Sequence, residues 1–206
     1  MKRILTPLRF QAGVQALGFI VTVMFAVMVR PLDADQKRDK EVQRVKSGRK
    51  TGELVPSFYV RAVTGPNRNK SICYVCRNGD RPVIMVLMRK THDDLIPLLK
   101  RLDQVVDKNR ANGLRCFGVL IHEEPSEATP IVQTMAFNSK IQVPLSVTTD
   151  VVSAPACQNL NPDADLTVVM YRDLRVVSTF GFDSVELKKN DVDRVMSGVE
   201  KLLKED

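Results

Sequence analysis

RPVIMVLMRKTHDDLIPLLKRL, residues 81–102, carries both halves of an α/β unit in one stretch. Val83 to Met88 is an unbroken apolar run, the pattern of a strand buried on both faces. Thr91 then fits a helix N-cap. Asp94 follows three residues on with Asp93 beside it, where carboxylates are favoured by the positive end of the helix dipole. Leu95, Leu98, Leu99, Leu102, Val105 and Val106 recur at helical spacing and define an inward stripe.

The same alternation continues downstream. Gly113 closes the helix, and LRCFGVLI (114–121) reads as a second buried strand. A weaker helix is expected over 126–139, with Pro130 in its first turn or at a kink. VPLSV (143–147) is a short strand, 153–162 a loop or short helix, and LTVVMY (166–171) a third core strand. Arg172-Asp173 turns that strand into LRVVSTFGF. A last helix, with Asn190 as its expected cap, points Val192, Val195, Met196, Val199, Leu202 and Leu203 inward.

Upstream, SFYVRAV (57–63) places Phe58, Val60 and Ala62 at period two, a half-buried strand. GPNRNK is a turn, and SICYVC (71–76) reads as the returning strand of a hairpin. The fold class is α/β. Right-handed crossovers make the first part of the sheet parallel, and the terminal hairpin adds an antiparallel edge.

A chain of 206 residues with 44% hydrophobic residues and no Trp supports one ordinary domain plus a tail, its core built from Val, Leu, Ile and Met. The formal charge is +7, and residues 37–50 hold seven Lys/Arg against Asp39 and Glu41. Aromatic and basic residues are not interleaved as in a single-strand binder, so no nucleic-acid partner is expected. An apolar run from Ala16 to Val29, extended back to Ala12, spans 18 residues behind Lys2, Arg3 and Arg9. It reads as a signal peptide or membrane anchor over residues 1–30, followed by a charged linker (31–52) and a folded domain (53–206). The expected location is export, anchored at the inner membrane and facing the periplasm or exterior. Lys/Arg are denser after the run than before it, and positive-inside counting opposes that orientation.

From residue 53 to about 204, the order of motifs resembles the thioredoxin-like superfamily. Within it, the chain resembles the branch that holds the alkyl-hydroperoxide-reductase/thiol-specific-antioxidant proteins and the membrane-tethered thiol-disulfide oxidoreductases. LVPSFYVRAVTG resembles its opening strand and GDRPVIMVLM its core strand. IPLLKRL carries Pro97 where the family's first long helix has a Pro. QVPLSVTTD resembles the strand ending at an Asp, here Asp150, and LTVVMYRDLRVVSTFGF the final hairpin. A narrower group of exported bacterial proteins with Cys-Tyr-x-Cys before the core strand is also similar. The resemblance implies a mixed sheet with flanking helices and an N-terminal hairpin extension. It also implies a reactive Cys at the tip of the helix after the core strand, where the dipole lowers a thiol pKa. Here that place reads RKTHDD (89–94): Arg89 and His92 stand where the family has its two cysteines. Asp165 stands where the family has a cis-Pro. Peroxidase chemistry is therefore disfavoured.

Cys73 and Cys76 lie outside that usual pocket and are the candidate catalytic residues. Their spacing leaves open a redox pair, a structural staple, or half of a zinc site. Lys70, Arg77 and Arg81 lie nearby in sequence and favour a thiolate. Cys116 reads as a buried hydrophobe and Cys157 as a residue without an assigned role. His92 and His122 fit helix-capping and strand-end positions. No cofactor or metal is expected. Two functions compete: a displaced Cys-x-x-Cys exchanging with protein thiols or disulfides, and a non-catalytic thioredoxin-like binding module stapled by a Cys73–Cys76 disulfide.

Overall fold

The computed structural model describes residues 43–149 and 154–204. The apolar run near the N-terminus and most of the charged linker lie outside the described residues. Among those residues, no helix is long and apolar enough to cross a membrane. The elements run β1 (Val60–Ala62), β2 (Ser71–Ile72), α1 (Tyr74–Asn78), β3 (Val83–Met88), α2 (Ile96–Lys108), β4 (Arg115–Leu120), α3 (Pro125–Ser139), β5 (Leu145–Thr148), α4 (Ala154–Gln158), β6 (Leu166–Arg172), β7 (Arg175–Phe182) and α5 (Lys189–Lys204).

The described strands form one sheet in the order β2-β1-β5-β4-β3-β6-β7. β3, β4 and β5 are parallel, while β1, β6 and β7 pair antiparallel with their neighbours. β3 is central, and all six of its residues are buried. Ile84, Val86 and Met88 meet the stripes of α2, α3 and α5 on one face. Val83, Met85 and Leu87 meet Phe58, Ile72, Tyr74 and Val75 on the other. Burying each such side chain contributes about 1.5–3 kcal/mol, so the two-sided layer dominates the hydrophobic stabilisation of this strand.

Three local expectations are corrected. SICYVC does not continue as a strand. β2 stops at Ile72, Cys73 caps a short helix by accepting the Cys76 N–H at 3.1 Å, and Gly79 ends it at φ 56°. Tyr74, the first residue of the helix, stacks on Phe117 with ring centroids 4.8 Å apart. Ahead of the next helix His92, not Thr91, supplies a cap, and it closes a 3₁₀ turn, while α2 itself follows Leu95 with no side-chain cap. Pro97 belongs in a first helical turn, so α2 starts at Ile96. A 3₁₀ turn, Asp93–Leu95, precedes it, with His92 Nδ1 accepting the Asp94 N–H at 3.3 Å. At α5, Asn190 lies inside the helix. The start is closed reciprocally by Lys188 and Asp191, whose carboxylate accepts the Lys188 N–H at 3.2 Å.

Residues 43–52, expected as the end of the linker, lie along β7. Val45 N–H donates to Gly181 O at 3.1 Å, and Gly52 N–H donates to Val176 O at 2.8 Å. The Ser47 and Thr167 hydroxyls bond at 2.6 Å in a buried position. A Cβ on Gly181 would run into the Val45 carbonyl oxygen and come within 2.9 Å of Ser47 Cβ. Gly181→Ala is therefore expected to destabilise the domain by about 1–3 kcal/mol, as overpacking does. Urea unfolding checks this through a lowered midpoint at unchanged slope. An unchanged midpoint would mean that residues 45–47 are not seated on β7.

Candidate functional site

Cys73 and Cys76 are brought together as a disulfide, with Cα atoms 5.3 Å apart. They sit on α1, ahead of the core strand and away from the start of the leucine-striped helix. The pair is asymmetric. Cys73 is buried in the layer that covers β3, whereas Cys76 is exposed. The asymmetry follows from helical geometry, because Cys73 is the cap beside buried Tyr74 and Val75 while Cys76 begins the outward side.

Cys116 and Cys157 lie outside that disulfide. Cys116 is buried in β4, and burial, helped by the nearby Asp103 carboxylate, pushes its thiol far above the ordinary range. Cys157 is partly buried, and burial raises its thiol as well, with Arg49 and local hydrogen bonds pulling the other way. Neither is joined to the Cys73–Cys76 pair.

The family's usual reactive position is occupied by charge. The Arg89 N–H donates to Asp165 O at 2.8 Å, and Lys90 Nζ meets Asp165 Oδ2 at 2.9 Å. This juxtaposition puts Asp165 beside the end of β3. What it contributes is an ion pair, with no sulfur and no proline. His92 is engaged with Asp94, its Nδ1 3.2 Å from the carboxylate. His122 Nδ1 accepts the Glu124 N–H at 3.0 Å. Among the described residues no group of three or more His, Cys, Asp or Glu is arranged to hold a metal ion.

What the sequence reading missed is a cleft beside α1. Tyr74, Arg77 and Asn78, one face of that helix, form one wall, and the C-terminal half of α2 with the entries to β4 and β5 forms the others. Cys116 lies in its floor. The Tyr74 hydroxyl is buried beside Asn67, and the Tyr171 hydroxyl, in β6 and outside the cleft lining, is buried beside Asn78. Burial raises the Tyr74 phenol, offset in part by Asn67 and Arg77; burial likewise raises Tyr171, offset by Asn78. The spacing 74, 77, 78 would have signalled this wall had the segment been read as a helix.

No protein-family profile matches the chain, and no curated protein matches it in sequence. Solved structures do match in shape. One is described as the thiol:disulfide interchange protein DsbE of Chlorobium tepidum, with TM-score 0.59, 12% identity and 75% of this chain covering 98% of that one. The thioredoxin domain of a thiol-disulfide oxidoreductase from Bacteroides vulgatus has TM-score 0.55 and 10% identity over 73% of this chain and 98% of its own. Peroxidoxin BcpB from Mycobacterium tuberculosis has TM-score 0.54 and 15% identity over 74% and 96%. The chain has the thioredoxin-like fold.

Raised thiol pKa values mean little thiolate near neutrality, and the thiolate is the form that reacts. At pH 8 iodoacetamide is expected to modify Cys157 slowly and Cys116 only after unfolding, read by intact mass. Rapid labelling of Cys116 in the native protein would contradict its burial.

Proposed function

We propose that this thioredoxin-like protein carries out thiol-disulfide exchange through Cys73 and Cys76. The supporting observation is the asymmetry of the pair, one sulfur-bearing residue exposed and the other buried. A partner thiolate attacks the Cys76 sulfur. The Cys73–Cys76 bond breaks, a mixed disulfide forms on Cys76, and Cys73 leaves as a thiolate. The Cys76 N–H, 3.1 Å from the Cys73 sulfur, is positioned to stabilise that charge. A second partner thiolate then attacks the partner sulfur of the mixed disulfide and releases Cys76. In total two partner thiols lose two electrons and two protons, and the Cys pair gains them. Run backward, Cys76 is the attacking thiolate and Cys73 the resolving one.

In the same reading residues 1–30 tether the domain, through the linker that begins at residue 31, on the outer side of a membrane. Disulfides persist in such a compartment, and protein thiols or disulfides are available there as partners. A peroxidase would need a thiolate at the start of α2, where Arg89 to Asp94 supply none. A second reading, a non-catalytic binding module with a structural disulfide, is favoured by the burial of Cys73 in the layer over β3.

The reduction potential separates the two. An exchanger is expected between about −270 and −120 mV, the span of working dithiol proteins, and a staple below about −300 mV. Cys73→Ser is expected to trap a mixed disulfide on Cys76, and Cys76→Ser to lower exchange to background. A potential below about −300 mV with no trapped adduct would leave the staple.

A further inference from the structure

Where residues 44–51 lie along β7, they form one wall of a separate cleft, closed by residues 159–162 after α4 and by Arg194 of α5. Its volume is about 730 Å³, inside the roughly 300–1,000 Å³ range of small-molecule sites. The lining includes Arg44, Lys46, Arg49, Lys50 and Arg194, and no Asp or Glu. None of the ion pairs formed among the described residues uses any of these five cations. Asp193, beside Arg194 in sequence, pairs with Arg101, and the Glu53 carboxylate accepts the Lys50 N–H at 3.0 Å.

The wall is held by hydrogen bonds that leave its shape little freedom. Asn161 Nδ2 donates to Lys46 O, Gly48 N–H to Asn159 O and Thr179 Oγ1 to Arg49 O, each at 3.1 Å. Arg49 Nε donates to Cys157 O at 3.1 Å, and the Arg194 guanidinium lies 5.7 Å from the centre of the Phe180 ring. Five like charges around one concavity repel each other, and the concave wall focuses their field on whatever enters. The folded backbone has already ordered their attachment points, which lowers the cost of capturing an anion. A phosphate group brings roughly two negative charges and several acceptor oxygens to one point. Arginine forks and lysine ammonium groups both suit it. We infer that this cleft is a binding site for a phosphate-bearing anion, either free or as the headgroup of a phospholipid. The lining contains neither Cys73 nor Cys76, so the site stands apart from the exchange reading.

Calorimetric titration of the full chain in neutral detergent tests this, with inorganic pyrophosphate and with glycerophosphoglycerol, a soluble phospholipid headgroup, as probes. A saturable curve with one site per chain is expected for at least one probe. Tighter binding of pyrophosphate assigns a free anion, and tighter binding of glycerophosphoglycerol assigns a headgroup. Lys46 and Lys50 are exposed, and Lys46→Glu with Lys50→Glu is expected to weaken the preferred probe about tenfold, since like charge now faces the anion. Arg81→Glu with Arg110→Glu makes the same change in net charge at the cleft beside α1 and should alter affinity by less than about twofold. Arg49→Lys keeps the charge and loses the fork, so a loss of about threefold is expected. If the Lys46 and Lys50 reversals prevent folding, Lys46→Gln with Lys50→Gln makes the same comparison, with a loss of about threefold expected. The assignment is overturned if neither probe binds saturably. Equal losses from the two pairs of reversals would also overturn it, by showing only the effect of net charge.

Discussion

A strand buried on both faces has to be covered twice, and the rest of this molecule follows from how β3 meets that demand. Three helices cover one face through Leu98, Leu99, Leu102, Val132, Val195 and Val199. The other face has no long helix among the described residues. It is closed by Phe58, Ile72 and the single turn of α1, with Tyr74 stacked on Phe117. So short a helix has little stability of its own, because nucleation costs more than one turn returns. The Cys73–Cys76 bridge and the cap at Cys73 hold the turn in place. The same bond that closes the core therefore lies at the candidate reactive site.

The long periodic elements were legible in the sequence because their periodicity is written in side chains. Val83–Met88, the leucine stripe of α2 and the valine stripe of α5 stand where apolar spacing puts them. The displaced position of the cysteines was legible too, since RKTHDD holds no sulfur. Four things were not. α1 spans five residues, fewer than two helical repeats, too few for a 3.6-residue period to show. Residues 43–52 join β7 through backbone groups, which composition does not reveal. The cleft draws on separate segments around Pro66, α1, α2, β4 and Gln142, so no linear motif encodes it. Which cysteine faces solvent depended on the cap and was equally invisible.

At the opposite end of β3 the ion pair of Lys90 with Asp165 and the bond from Arg89 to the Asp165 carbonyl occupy the position where the fold usually holds its thiol. A fixed cation and a local anion can order that strand end. They do not supply a nucleophile with two-electron redox chemistry. At this strand end the thioredoxin-like framework holds an ion pair.

The cleft gathers Arg81, Arg115, Gln142 and Val143, the entries to the parallel strands, while Arg89 and Asp165 mark their exits. The six residues of β3 separate those ends by roughly 20 Å at about 3.3 Å per residue. The strand thus fixes a distance between the arginine-lined cleft and the Lys90–Asp165 pair that is too long for any one side chain to bridge.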